Sequence, residues 1–278
     1  MTQPINTPPA TRRTILGGLA TLFAIGAWPG ARAAESKTSS SKAKSIRFVS
    51  VNDLHHEEEA CDPFMEKVFR QIAATENASL CFALGDLANT GKLSSLEAIK
   101  RLSPLVGMPF YASPGNHDLD ESPVEGFYES VFPGQRNHVV RENGWQFVLI
   151  DTTEGDKWNN ITIHKSTLAW LDETLPTLDP HAPLVLLTHF PLASEVPMCP
   201  LNAEAVLAKF IGHNLRGIFG GHFHGVTRNT RGAIHIHTCA CASRVRSNHR
   251  TAPPEKGYYV VDGDADGNLD ITFVELES

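Results

Sequence analysis

A chain of 278 residues, 41% hydrophobic and 20% charged, can bury one large core and is not composed like a disordered, fibrous or membrane-embedded protein. Its formal charge of −7 at pH 7 supplies no basic footprint for duplex nucleic acid, so no such partner is expected.

The N-terminal region runs from Thr11-Arg12-Arg13-Thr14-Ile15-Leu16 through an uncharged, mostly apolar stretch to Trp28, then to Ala31-Arg32-Ala33-Ala34. This pattern predicts a twin-arginine signal peptide over residues 1–33, cleaved near Ala33 or Ala34, and export to the periplasm by the twin-arginine machinery. Gly17, Gly18, Gly26 and Pro29 interrupt an apolar stretch already shorter than the ~20 residues of a membrane span. Cleavage removes Arg12, Arg13 and Arg32 and no acid, which moves the formal charge from −7 to −10. Residues 34–44, mostly Ser, Lys and Thr, read as a disordered tether, and residues 45–278 as one domain.

Ile46 to Val51, Leu80 to Leu84 and Pro109 to Ala112 are short apolar runs separated by helical patterns at Phe64 to Ala73 and Leu93 to Leu102. That alternation predicts a β-α-β-α-β opening with parallel strands and covering helices. Trp145 to Ile150 reads as a strand, Thr167 to Leu175 as a helix, Leu184 to Leu187 as a strand, Ala203 to Ile211 as a helix and Gly217 to Phe219 as a strand. The tail changes character: Val226 to Arg228, Ala233 to His237, Gly257 to Val261 and Leu269 to Val274 read as consecutive strands joined by turns. The whole is an α/β domain with mixed sheets.

Five polar segments each follow an apolar run: Asp53-Leu54-His55, Gly85-Asp86, Gly115-Asn116-His117-Asp118, Thr188-His189 and Gly221-His222-Phe223-His224. In open α/β sheets ligands gather outside the carboxyl ends of strands, so this shared position makes the segments one candidate site. Asp53 and His55, like His222 and His224, are one residue apart, and on an extended strand end their side chains would project to the same side. The donors mix carboxylate, amide oxygen and imidazole, which suits Zn, Mn or Fe and is too rich in nitrogen for Ca or Mg. There are enough of them for two ions.

The ordered pattern D-x-H, G-D, G-N-H-D, a strand-end His and G-H-x-H resembles the calcineurin-like metallophosphoesterases over about Ile46 to His224. The G-D-x-x-N and G-N-H-D forms are similar to the bacterial cyclic-nucleotide phosphodiesterase branch of that family. The resemblance implies a four-layer α/β sandwich, two mixed β-sheets flanked by helices. It also implies an exported dinuclear hydrolase of small phosphomonoesters or phosphodiesters, acting by in-line attack of a metal-bridging hydroxide. Carried over to this chain, Asp53, His55 and His224 would bind one ion, Asn116, His189 and His222 the other, and Asp86 would bridge. His117 would be catalytic, protonating the departing alkoxide, with Asp118 orienting Asn116 or His117 through a hydrogen bond. A purple acid phosphatase would carry tyrosine where Asn89 stands, which disfavours a tyrosinate-iron site. The reading from a different class is a periplasmic metal-binding module without turnover; the intact Gly-Asn-His-Asp segment argues against it.

Other features weigh less. Asn89, Arg244 and Arg246 are candidate substrate contacts, the arginines as the one basic cluster of the mature chain. Asp262 to Gly267 imitates half of an EF-hand loop, but Phe273 stands where a bidentate Glu is needed, so a hairpin turn is expected. His235 and His237 are expected on a polar strand face, and His56 in a solvated charge run with Glu57 to Glu59. Of five cysteines, Cys81 is expected in the core, and Cys239 and Cys241 alternating along a strand. The absence of a CxxC pair excludes a thiolate zinc site of that type.

Overall fold

The structure, a computed structural model, describes residues 43–119 and 126–277. The signal-peptide pattern and all but the last two residues of the tether lie outside them. The opening is the expected alternation: β1 (Ile46–Val51), α1 (Asp62–Ala73), β2 (Leu80–Leu84), α2 (Leu93–Leu102) and β3 (Phe110–Ser113). Then come α3 (Gly126–Val131), β4 (His138–Glu142), β5 (Trp145–Leu149), α4 (Lys165–Thr174), β6 (Leu184–Leu187), α5 (Ala203–Lys209) and β7 (Leu215–Gly220). The tail supplies β8 (Thr227–Arg231), β9 (Ile234–Thr238), β10 (Gly257–Gly263) and β11 (Leu269–Glu275).

Two mixed sheets result, ordered β11-β10-β1-β2-β3 and β4-β5-β6-β7-β9-β8. The central strands β1, β2 and β3 run parallel, as do β5, β6, β7 and β9. The four tail strands form two antiparallel hairpins that separate, β8-β9 going to the second sheet and β10-β11 to the first. The Asp262 to Gly267 segment is the tip of the β10-β11 hairpin, with Gly263 paired to Leu269, so the hairpin expectation holds.

Strand residues sort by their period of two into three cores. Ile46, Phe48, Leu80, Phe82, Leu84, Phe147, Leu187, Phe219 and Tyr259 meet between the sheets. Val49, Val51, Cys81 and Ala83 turn to α1 and α2, while Val148, Leu184 and Leu186 turn to α4 and α5. Strands covered on both faces must be apolar throughout, which is why β2 reads Leu-Cys-Phe-Ala-Leu. Phe48 locks the layers together, its ring edge-on to Phe82, Phe147 and Phe219 at centroid distances of 5.8, 5.1 and 5.8 Å. Helix, sheet, sheet and helix layers follow, with the carboxyl ends of β1, β2, β3, β6 and β7 opening toward one set of loops.

Two expectations change. Cys239 and Cys241 lie beyond the end of β9, both buried, and all five cysteines are free thiols. His237 sits on β9 but is buried beside Phe219 and Tyr259 instead of on a polar face.

Candidate metal centre

The loops that follow the strands are knit together before any ion is considered. Asp53 N–H donates to the Gly85 carbonyl at 3.1 Å, His55 N–H to Asp86 O at 2.8 Å and Asn89 N–H to His56 O at 2.8 Å. Gly115 passes so close to Asp86 that a Cβ there would lie 2.2 Å from the Asp86 nitrogen and 2.2 Å from its Oδ1. Asp53, His55, Asp86, His222 and His224 all have left-handed backbone, with φ of 55°, 46°, 50°, 63° and 49°. The side-by-side placement of Asp53 with His55 and of His222 with His224 therefore does not come from an extended strand end. Left-handed turns after β1 and β7 produce it, at a cost of about 1–2 kcal/mol per residue that Asp and His tolerate better than most.

These turns bring together every residue expected as a ligand. Asp53, His55, Asp86 and His224 form one group that could hold a metal ion, and Asp86, His189 and His222 a second. In the first, His224 Nε2 lies 3.2 Å from Asp53 Oδ1 and 3.1 Å from His55 Nε2, and His55 Nε2 lies 3.5 Å from Asp86 Oδ2. In the second, His189 Nε2 lies 3.4 Å from Asp86 Oδ1, 3.3 Å from Asn116 Oδ1 and 3.2 Å from His222 Nδ1.

Main-chain carbonyls assign the imidazole tautomers. His189 Nδ1 faces Leu84 O at 2.9 Å, and His222 Nε2 faces Trp158 O at 2.7 Å. A carbonyl only accepts, so each of those nitrogens carries the proton and the other presents a lone pair inward. His189 Nε2, His222 Nδ1, Asn116 Oδ1 and Asp86 Oδ1 are then four acceptors converging with no N–H proton between them. That arrangement is unfavourable unless a cation sits among them, so the donor set fits a divalent metal. His224 is oriented in the same way, its Nδ1 3.0 Å from Ser247 O.

The electrostatics agree. Burial, with His189 alongside, pushes His222 down to about 3, and burial likewise lowers His189, so neither ring takes up a proton to relieve the repulsion. Burial also opposes charge on His224, but the Asp53 carboxylate overrides it and raises that ring to about 11. A proton there sits where a cation would. Burial works against the Asp53 carboxylate, yet His224 holds its pKa below the ordinary range. Asp86 is raised to about 7, chiefly by burial, with Asp53 adding to the shift.

His117 borders the same pocket, a space of about 260 Å³ that also touches Asp86, Trp158, Met198, Phe223 and His249. Its Nδ1 lies 2.8 Å from Asn89 O, and its backbone N–H donates to Asp86 Oδ1 at 2.9 Å. Asp118 is buried beside Asp86 and held by backbone donors. Its carboxylate accepts from Ala88 N–H at 2.7 Å and Gly115 N–H at 2.8 Å, so it fastens two loops. Asn89 is not a free substrate contact, because its amide donates to Glu57 Oε1 at 3.0 Å and accepts from Arg246 Nε at 2.7 Å. Arg246 is thus tied to the site's edge, while Arg244 is exposed and bonded to nothing among the described residues. His56 is buried, not solvated, with Nε2 2.8 Å from Asp62 Oδ1.

Sequence reasoning missed Asn52, a buried residue whose Nδ2 donates to Asp53 Oδ2 at 2.5 Å, and the four carbonyls that orient the rings. Asn52 is next to a ligand in sequence, which is a usable signal. The carbonyls have none, because every residue carries one.

The sequence profile described as calcineurin-like phosphoesterase matches residues 46–226. A cAMP/cGMP dual specificity phosphodiesterase of Mycobacterium tuberculosis is 28% identical over 156 residues, covering 52% of this chain and 48% of that protein. An Arcobacter nitrofigilis protein described as a probable glycerophosphodiester phosphodiesterase is 24% identical over 170 residues, covering 57% of this chain and 61% of its own. The matched part thus spans about half to three-fifths of these relatives' lengths. Among solved structures, a purple acid phosphatase from yellow lupin seeds superposes with a TM-score of 0.62 at 12% identity, over 84% of this chain and 52% of that one, a likeness of fold alone.

Proposed function

The chain belongs to the calcineurin-like phosphoesterase family, and from that membership we propose that it is an exported phosphohydrolase using two divalent ions, Mn, Fe or Zn, to cleave small phosphomonoesters or phosphodiesters. Asp53, His55 and His224 would hold one ion, Asn116, His189 and His222 the other, with Asp86 shared. When bound, such a pair supplies Lewis acidity toward phosphoryl oxygens and water of lowered pKa. The observation that carries this reading is the convergence of His189 Nε2, His222 Nδ1, Asn116 Oδ1 and Asp86 Oδ1 with no N–H donor among them.

His117 does the remaining proton work. Its Nδ1–H is committed to the Asn89 carbonyl, so the doubly protonated ring delivers its Nε2 proton to the leaving oxygen as the ester P–O bond breaks and that oxygen takes the electron pair, and the ring is left as the neutral Nδ1–H tautomer. Water adds to phosphorus and supplies the replacement oxygen. Asp118 serves this step by fixing the loops of Asp86 and Asn116. The relatives named for cyclic nucleotides and glycerophosphodiesters make phosphodiesters the first substrates to assay.

The test is metal content together with hydrolysis of aryl and alkyl phosphomonoesters and phosphodiesters. Asp86→Ala is expected to lose metal and turnover together. His117→Ala is expected to keep its metal and lose about 10²–10⁴-fold in kcat on an alkyl ester. Metal-loaded wild type that turns over no ester would leave a metal-binding module and sink the enzymatic reading.

Export rests on the Arg12-Arg13 pattern and the small-residue run to Ala34. Residues 1–40 fused to a reporter enzyme should deliver it to the bacterial periplasm. Export that persists when both arginines are replaced by lysine would refute a twin-arginine route.

A further inference from the structure

Asn89 has every polar group engaged. Its N–H donates to His56 O at 2.8 Å, its carbonyl faces His117 Nδ1 at 2.8 Å, its Nδ2 donates to Glu57 Oε1 at 3.0 Å and its Oδ1 accepts from Arg246 Nε at 2.7 Å. A carboxylate on one side and a guanidinium on the other fix which way the amide points, because only the oxygen can accept and only the nitrogen can donate. The Asn89 side chain is buried, its two partners are half-buried, and the two bonds hold the residue whose carbonyl orients the His117 ring.

The arms of this arrangement are themselves held. Arg246 N–H donates to Ser243 Oγ at 3.0 Å, and the Arg246 carbonyl accepts from Lys256 Nζ at 2.6 Å. Lys256 also donates to Ser243 O, and Asn248 closes the same loop through Cys241 N–H at 3.0 Å and Glu255 O at 2.7 Å. The next carbonyl along, Ser247 O, orients His224. On the other side, Glu57 follows directly on His55 and His56, and its carbonyl accepts from Ser95 Oγ at 3.2 Å at the start of α2.

We propose that Glu57 and Arg246 are positioning residues for proton donation: they clamp the Asn89 amide from opposite sides and so hold the Asn89 carbonyl against His117 Nδ1. This rests on the reading of His117 as the donor to the leaving group. Neither residue touches substrate in this role, which separates it from the expectation that Arg246 grips phosphate directly. The clamp matters most when the leaving oxygen needs its proton. An alkoxide departs poorly without one, whereas a 4-nitrophenolate is already a stable anion, so disturbance of the donor weighs far more on the first.

The test compares two esters, of whichever ester type the wild type prefers, one releasing an alkoxide and one releasing 4-nitrophenolate. In Glu57→Ala and Arg246→Ala the ratio of kcat on the alkyl ester to kcat on the nitrophenyl ester should fall about tenfold, with KM and metal content near wild type. Glu57→Gln, which keeps an acceptor for Asn89 Nδ2, should restore most of that ratio. An equal loss on both esters would make the residues merely structural. A raised KM on both with an unchanged ratio would make Arg246 a substrate contact. Either result overturns the clamp while leaving the enzymatic reading intact. Metal-loaded wild type that cleaves neither ester overturns both.

Discussion

Burial beside Phe219 and Tyr259, with His235 and Arg228 adding to the effect, pushes His237 down to about 4. Burial likewise lowers His138 to about 4. Both rings are neutral in the fold at pH 7, and in the unfolded chain they titrate near 6.5. Between those values the unfolded state binds more protons, so stability contributed by neutrality is fully present above about 6.5 and is lost as pH falls toward 4. The melting temperature should decline over that window, and less steeply in His237→Gln; parallel slopes would show that His237 plays no part. Residue types at the metal centre were legible because Asp, His and Asn recur directly after apolar runs. Their backbone was not, since a left-handed turn at Asp53 or His224 depends on where the neighbouring loops bond. Asp118 shows the same limit: its neighbours in sequence are Asn116 and His117, but its carboxylate accepts from Ala88 and Gly115 N–H, which sequence does not reveal.

At the scale of elements, β1, β2 and α2 have the bounds expected from sequence. Central strands are covered on both faces, so burial writes a continuous apolar run with sharp ends. The edge strand β4, His138–Glu142, escaped notice because Val140 alone in it is deeply buried, and α3 is only six residues long. Phe48 is the side chain on which the layers meet, and Phe48→Ala should cost about 3–5 kcal/mol in urea unfolding. A loss below about 1 kcal/mol would show that the sheets are held chiefly by other contacts. The tail hairpins were legible as strands, but their division between two sheets was not. Local sequence specifies a hairpin's turn and says little about which distant sheet edge it joins.

For the molecule as a whole, the two sheets supply ligands from opposite sides: Asp53, His55, Asp86 and Asn116 follow strands of one, His189, His222 and His224 strands of the other. An ion bound among them therefore ties the halves together, and its removal should be felt globally. Binding at a thousand times Kd stabilises by about 4 kcal/mol, so exhaustive chelation should lower the melting temperature by several degrees, restored on adding Mn or Zn. An unchanged melting temperature, with metal loss verified, would mean the sheets do not depend on the ion. The left-handed ligands carry a consequence for how this chain can change over generations. At Asp53, Asp86 or His224, replacement by Gly preserves a tolerable backbone while deleting a donor, whereas Val or Ile would break the turn itself. Loss of a ligand and loss of architecture are thus separate mutational events, and a descendant could discard the proposed hydrolysis yet inherit the scaffold whole.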